Sequence, residues 1–172
     1  MAEQASEQAK GAGKEAVLEM LKELGLAWEI NEHEAVYTVE EMEKLGLHKK
    51  GTIVKNLFLR DAKGKRHFLV LLPGDKHADL KSISEKLACP RLSFASEDRL
   101  MRFLGLTKGA VTPLGVMNDK ERAVEVVVDR ALTTAPKLGV HPNDNTATVW
   151  LSWNDLKRFI EHFGNTMRTI AL

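Results

Sequence analysis

The sequence predicts an α+β fold, a mixed β-sheet with peripheral helices. Three observations predict it: strand-like and helical periodicities are interspersed, one antiparallel hairpin is well marked, and helix caps recur between the apolar runs. A length of 172 residues, 44% of them hydrophobic, suits one globular domain whose core needs neither disulfides nor a structural metal. Residues 14–172 are expected to form that domain, with residues 1–13 as a flexible lead-in.

Taken in order, Val17, Leu18, Leu21 and Leu24 fall at helical spacing and Gly25 follows them, which predicts an amphipathic helix over 14–24 closed by a C-terminal glycine. Apolar and polar residues roughly alternate from Trp28 to Glu34, predicting a strand. Thr38-Val-Glu-Glu41 has the pattern of a capping box and should open a short helix ending near Gly46. The runs 53–60 and 66–72 are rich in branched and aromatic residues, and the glycine-bearing stretch Asp61-Ala-Lys-Gly-Lys65 between them predicts a hairpin. Asp79 and Ser96 can each cap a helix. The first would bury Leu80, Ile83 and Leu87, and the second Leu100, Phe103 and Leu104 before Gly105.

Two glycines and a proline within Gly109-Ala-Val-Thr-Pro-Leu-Gly115 interrupt all periodicity, so an ordered loop is expected there rather than an element. Residues 124–128 and 146–151 read as strands. Ser152 then caps a last helix that turns Leu156, Phe159, Ile160 and Phe163 inward and stops at Gly164.

Composition narrows the function. Twenty-five Lys and Arg against twenty-four Asp and Glu leave a formal charge of +1, so no global basic field exists and any nucleic-acid contact must be local. Cys89 is the single cysteine, and the six histidines (33, 48, 67, 77, 141 and 162) show no zinc-like spacing, so neither a metal nor any other cofactor is expected. Neither a secretory leader nor about 18 uninterrupted apolar residues is found, which points to a reducing cytoplasm and no membrane.

Three segments can carry chemistry. Lys55 and Asn56 interrupt an otherwise apolar strand, either as an edge lysine reaching solvent or as a clamp for a phosphate or carboxylate. The loop 109–115 is either a turn or a wall of backbone N–H groups able to hold an oxyanion. His141-Pro-Asn-Asp-Asn145 is either a turn stabilised by its own short polar side chains or a pocket edge presenting an imidazole. Asp75 and His77 are weaker acid/base candidates, and Cys89 reads as a packed residue. Lys157, Arg158 and the cluster Lys44, His48, Lys49 and Lys50 read as solvated faces, although the cluster lies close enough in sequence to Lys55 to meet a nucleic-acid backbone.

Four stretches occur together in order: His33-Glu-Ala-Val-Tyr-Thr38, Lys55-Asn-Leu-Phe-Leu59, Gly109-Ala-Val-Thr-Pro113 and His141-Pro-Asn-Asp-Asn-Thr-Ala-Thr148. Through them the chain, from about residue 14 onward, resembles the YbaK and prolyl-tRNA-synthetase-associated editing-domain family, and within it the free-standing PrdX-type branch that deacylates alanyl-tRNA(Pro). The resemblance implies a partly barrel-like sheet and a hydrolase acting on the aminoacyl ester at the 3′ acceptor end of tRNA. Prolyl-tRNA synthetase would be a further partner; the oligomeric state stays open. It further implies that Lys55 holds a phosphate near the 3′ end and that Asn56 orients the ester. Gly109, Ala110, Val111, Thr112 and Pro113 would close over the amino acid, and His141 would line the pocket. Editing of cysteine- or serine-charged tRNA, a non-catalytic tRNA-binding module and a regulatory binder of free amino acid are alternatives that fit the same residues.

Overall fold

Residues 11–172 are described by the structure, a computed structural model. The lead-in expected over 1–13 falls on residues 1–10, outside the described residues, and on 11–13, which are tied down. Gly11 N–H donates to Gly105 O (3.2 Å), Ala12 N–H donates to Asn118 Oδ1 (2.8 Å), and the Asn143 amide donates to Ala12 O (2.8 Å).

The elements in chain order are α1 (Lys14–Glu23), β1 (Glu29–Glu32), α2 (Val39–Lys44), β2 (Thr52–Arg60), β3 (His67–Pro73), α3 (Leu80–Lys86), β4 (Ser93–Phe94), α4 (Glu97–Leu104), a 3-10 turn at Pro113–Asn118, β5 (Val124–Asp129), β6 (Leu138–Val140), β7 (Ala147–Leu151), α5 (Trp153–Phe163) and β8 (Met167–Ile170). Short 3-10 turns also occur at Leu47–Lys49 and Arg130–Thr134.

Caps set the helix boundaries. Thr38, Asp79, Ser96 and Ser152 each accept a hydrogen bond from an N–H of the first helical turn, satisfying donors that have no partner inside the helix. Gly105 and Gly164 end α4 and α5 in the left-handed region that a Cβ makes costly. The capping box differs in one detail: Glu41 Oε2 accepts from Tyr37 N–H (3.1 Å), one residue earlier than the reciprocal pattern requires.

A mixed sheet runs in the order β1-β7-β6-β2-β3-β5-β8, with β4 pairing β2 off this path. The β2–β3 hairpin is antiparallel from Val54↔Pro73 to Arg60↔His67, while β2–β6, β3–β5 and β5–β8 are parallel. Strand alternation then sorts the side chains. Val54, Phe58, Leu69, Leu71, Val126 and Val128 face one core together with α1, α4 and α5, and Val140, Val149 and Leu151 from the other end of the sheet join the same core. Both halves of the sheet thus wrap a shared interior, as the partial barrel requires. Leu57, Leu59, Phe68, Val70 and Leu72 face the opposite way and are covered by Ile83 and Leu87 around α3. Burial on both faces explains why β3 reads as an unbroken apolar run rather than an alternation.

Three strands exceed the sequence expectation: β4, β6 and β8. Each has four residues or fewer, and β6 carries Gly139 at its centre, so none shows enough periodicity to be seen alone. The expected loop over 109–115 is half an element. Thr112 accepts from Leu114 N–H and Pro113 occupies the first turn, so the chain enters a 3-10 helix at Pro113.

Candidate active site

The strand β2 changes partners along one edge, and the site lies where that edge is free. Thr52 and Ile53 pair with β6, Leu59 and Arg60 pair with β4, and among the described residues no strand covers those between. Ile53 O accepts from Gly74 N–H on the β3 side, and Phe58 O accepts from Ala95 N–H on the other. By the two-residue alternation the backbone N–H and C=O of Asn56 therefore point to the open edge. The Asn56 side chain donates to Val54 O (3.2 Å), satisfying one edge carbonyl, while its Oδ1 is buried without a hydrogen-bond partner among the described residues.

At this gap is a cleft of about 200 Å³ lined by Tyr37, Thr38, Val39 and Met42 from the start of α2, Val54, Lys55 and Asn56 from β2, Gly109 and Val111 from the loop, and Gly139, Val140 and His141 from β6 and its end. A volume this small suits an amino-acid-sized group better than a drug-sized one.

Lys55 projects to the α3 side of the sheet, opposite Leu72, and its ammonium donates to Lys76 O (2.7 Å), which leaves two of its three donors for a ligand. That carbonyl is itself held. Lys76 Nζ lies 2.8 Å from Asp129 Oδ2, and the Asp129 side chain is only 2% exposed. Burial pushes the Asp129 carboxyl up, but the Lys76 ammonium and the N–H groups of Ala131 and Leu172 outweigh it and hold its pKa below the usual carboxylate value. The anchor thus has a rigid support.

His141 Nδ1 is 3.0 Å from Ala147 O, so Nδ1–H donates there and Nε2 keeps its lone pair. Burial holds this imidazole below its ordinary pKa; the Ala147 carbonyl opposes the shift and His33 adds to it. At neutral pH it is a hydrogen-bond acceptor rather than a cation. His33 is nearby, with ring centroids 6.4 Å apart and Nε2 2.8 Å from the buried Thr148 hydroxyl.

Gly109 has φ +94°, and a Cβ there would sit 2.6 Å from the Tyr37 ring, so glycine is required both for the backbone and for the close approach of loop to α2. Tyr37 is 65% exposed and sits at the mouth.

Lys55, Asn56, Gly109, Val111 and His141 therefore converge on one cleft, whereas Ala110, Thr112 and Pro113 do not line it. All three are buried: Ala110 faces a separate depression beside Gly11–Gly13, and Thr112 and Pro113 are used in starting the 3-10 helix. Asp75 and His48 border a different hollow behind α2, and Cys89 is packed in the α3 core. Among the described residues, no three His, Cys, Asp or Glu side chains group as a metal site, and no helix is long and apolar enough to cross a membrane. Sequence reasoning assigned no role to Tyr37, Met42, Gly139 or Val140. For Tyr37 a signal existed, since it sits inside the His33–Thr38 stretch; β6 offered none.

A curled mixed sheet with a small cleft at a broken strand edge, holding a lysine, an amide oxygen with no partner among the described residues and a neutral imidazole, defines a class of small α+β domain with a polar, amino-acid-sized cleft. The aminoacyl-tRNA editing domain family matches residues 33–159, and this chain belongs to that family, in its YbaK/prolyl-tRNA-synthetase-associated branch. It is 51% identical to the prolyl-tRNA editing protein ProX of Acetoanaerobium sticklandii, over 92% of this chain and 97% of that one. It is 40% identical to the prolyl-tRNA synthetase associated domain-containing protein 1 of Danio rerio, over 86% of this chain and 81% of the relative. A solved structure of a hypothetical protein superposes with a TM-score of 0.69 at 26% identity, covering 88% of this chain and 95% of that one.

Proposed function

We propose that the protein is a trans-editing hydrolase that removes alanine from mischarged tRNA(Pro) in the cytoplasm, working after prolyl-tRNA synthetase has released its error. The observation that carries this is the pairing of Lys55, with two free donors, and the unpartnered Asn56 Oδ1 in one small cleft. An aminoacyl ester at the 3′ end of RNA presents the complementary groups: an α-ammonium for the Asn56 oxygen and a nearby phosphate for Lys55.

Such an esterase is needed because a synthetase site built for proline cannot reject smaller alanine strongly; differences of about a methylene are worth only ~1–3 kcal/mol. On this reading the side-chain end of the cleft, to whose lining Met42, Val111 and Val140 contribute, accepts a methyl group and excludes the proline ring by overlap. In the reaction a water oxygen bonds to the ester carbonyl carbon and the ester C–O bond breaks; one water proton goes to the ribose oxygen, restoring its hydroxyl, and the other is released to solvent as the amino acid leaves as a carboxylate. The ester is already activated, so positioning and oxyanion donors carry the rate. The Asn56 backbone N–H at the open edge is one donor available for that charge. The substrate's neighbouring ribose hydroxyl activates the water, and replacing that hydroxyl by hydrogen is expected to abolish turnover.

The test is a panel of tRNAs charged with alanine, cysteine, serine and proline. Preferential release of alanine with proline retained supports the proposal. Preferential release of cysteine or serine transfers it to that substrate, and release from none reduces the protein to a binding module.

A further inference from the structure

Away from the cleft, the tip of the β2–β3 hairpin gathers more positive charge than its carboxylates neutralise. The segment Arg60-Asp-Ala-Lys-Gly-Lys-Arg66 carries four cations and one anion in a chain whose total is +1. The anion is occupied: Asp61 Oδ1 accepts from Lys65 N–H (2.8 Å) and Arg66 N–H (3.1 Å). Arg66 is paired with Glu125 (3.0 Å), and among the described residues the other cations of the tip have no carboxylate partner. Arg60 and Arg99 converge on Gly64, where an added Cβ would sit 3.0 Å from one guanidinium and 2.8 Å from the other. Both are held by neutral acceptors. Arg60 donates to Asp61 O and Ala62 O, and Arg99 to Gly64 O and the His67 Nε2. Among the described residues, Arg60, Arg99 and Arg102 form no ion pair with a carboxylate. Holding like charges together without a counter-charge is unfavourable unless an anion arrives. The field reaches His67, whose pKa is held down first by burial and then by Arg99.

An exposed aromatic lies between this cluster and the cleft. Phe94, on the two-residue edge strand β4, is 61% exposed and pairs with Leu59, so it shares a face of β2 with Lys55, about 13 Å along the strand at ~3.3 Å per residue. Arg60, one residue beyond Leu59, points to the opposite face with its partner His67, so cleft, aromatic and arginines share the edge of β2, and an RNA strand that meets all three crosses that edge.

We propose that this edge is a second contact surface for RNA, with Phe94 stacking on an unpaired base and the Arg60–Arg99 pair at Gly64 clamping a backbone phosphate. Planar guanidiniums match phosphate oxygens, and an aromatic face accepts any base, so the combination fits a nucleic-acid strand, which carries a ring beside every phosphate, better than an acidic peptide, whose Asp and Glu side chains offer the aromatic nothing to stack on. The inference rests on the functional reading above, because that reading supplies the RNA whose 3′ end occupies the cleft. It goes beyond it by assigning affinity for the body of the RNA to residues remote from the chemistry.

The experiment uses the full chain with Arg60→Gln/Arg99→Gln, Phe94→Ser and Lys63→Gln/Lys65→Gln; the last two variants alter exposed residues and keep the test valid should the arginine pair be needed for folding. Binding of uncharged tRNA(Pro) is measured against salt, and hydrolysis is measured on alanyl-tRNA(Pro) and on 3′-alanyl adenosine, which is too short to reach the tip. The expected result is weaker tRNA binding for each variant, with a log–log salt slope shallower by roughly 0.7 for every phosphate no longer neutralised and unchanged hydrolysis of the alanyl adenosine. Unchanged tRNA affinity and slope overturn the surface while leaving the hydrolase intact. Equal loss on both ester substrates overturns it as well, because the residues would then support the cleft rather than the RNA. Binding of polyglutamate with the same sensitivity to the variants overturns the assignment to nucleic acid. If the wild type hydrolyses neither ester, the functional reading fails and the salt-dependent binding still decides the surface.

Discussion

Two halves of one strand behave oppositely. Residues 57–59 of β2 are apolar and buried, with Leu59 fully so, and their backbone groups are taken up by β3 on one side and the β4 connection on the other. Residues 54–56, further back along the strand, keep β3 but lack a second neighbouring strand among the described residues. An amide side chain must cap Val54 O, and a polar atom of Asn56 is left over. A paired edge spends its hydrogen-bonding groups on the fold, whereas an interrupted edge has groups left for a substrate. The site is thus a defect in the sheet that the surrounding core is rigid enough to hold open.

That contrast can be broken experimentally. Leu59→Ala should cost about 2–5 kcal/mol of unfolding free energy, read from denaturant midpoints, and leave kcat per folded molecule near wild type. Asn56→Ala should do the reverse: stability within about 1 kcal/mol of wild type, because removal of a buried unpaired acceptor offsets the lost bond to Val54 O, and kcat/KM on aminoacyl-tRNA lower by roughly 10- to 100-fold. Equal stability losses at the two positions would end the distinction. Gly109→Ala places a Cβ 2.6 Å from the Tyr37 ring at φ +94°, so about 1–3 kcal/mol of strain should be relieved by the loop moving off α2, raising KM more than it lowers kcat.

The smallest effect is a pH dependence. His67 and His141 both have folded pKa values below 6.5, mainly through burial. Above pH 6.5 both states hold neutral imidazoles and the full contribution is present. As pH falls below 6.5 towards the folded values, the unfolded chain takes up protons that the folded chain refuses, and stability drops. His67→Phe, placed between Phe58 and Phe103, should flatten part of that slope in thermal melts taken between about pH 7 and 5.

The same contrast explains what could be read in advance. The hairpin and the caps at Thr38, Asp79, Ser96 and Ser152 are local, so residue type and spacing suffice to predict them. Lys55 stood out because a cation within Ile53–Leu59 conflicts with a buried strand. Gly139 and Val140 reach the cleft only because Leu138 and Gly139 of β6 pair in parallel with β2 more than eighty positions earlier, and no local pattern encodes that pairing. Ala110, Thr112 and Pro113 were expected to face the substrate with their neighbours. That expectation comes from the resemblance, which carries the loop over as a whole and does not tell that Thr112 and Pro113 start a 3-10 helix while Ala110 turns to a separate depression.

The most direct measurement is single-turnover hydrolysis of alanyl-tRNA(Pro) by wild type and Lys55→Met, with melting curves taken on the same samples. Alanine release by the wild type is expected, with a loss of roughly 10- to 100-fold in the variant, the scale of one charged hydrogen bond, at an almost unchanged melting temperature. Release at the wild-type rate by a folded Lys55→Met protein would contradict the assignment of Lys55 as the anchor of the substrate.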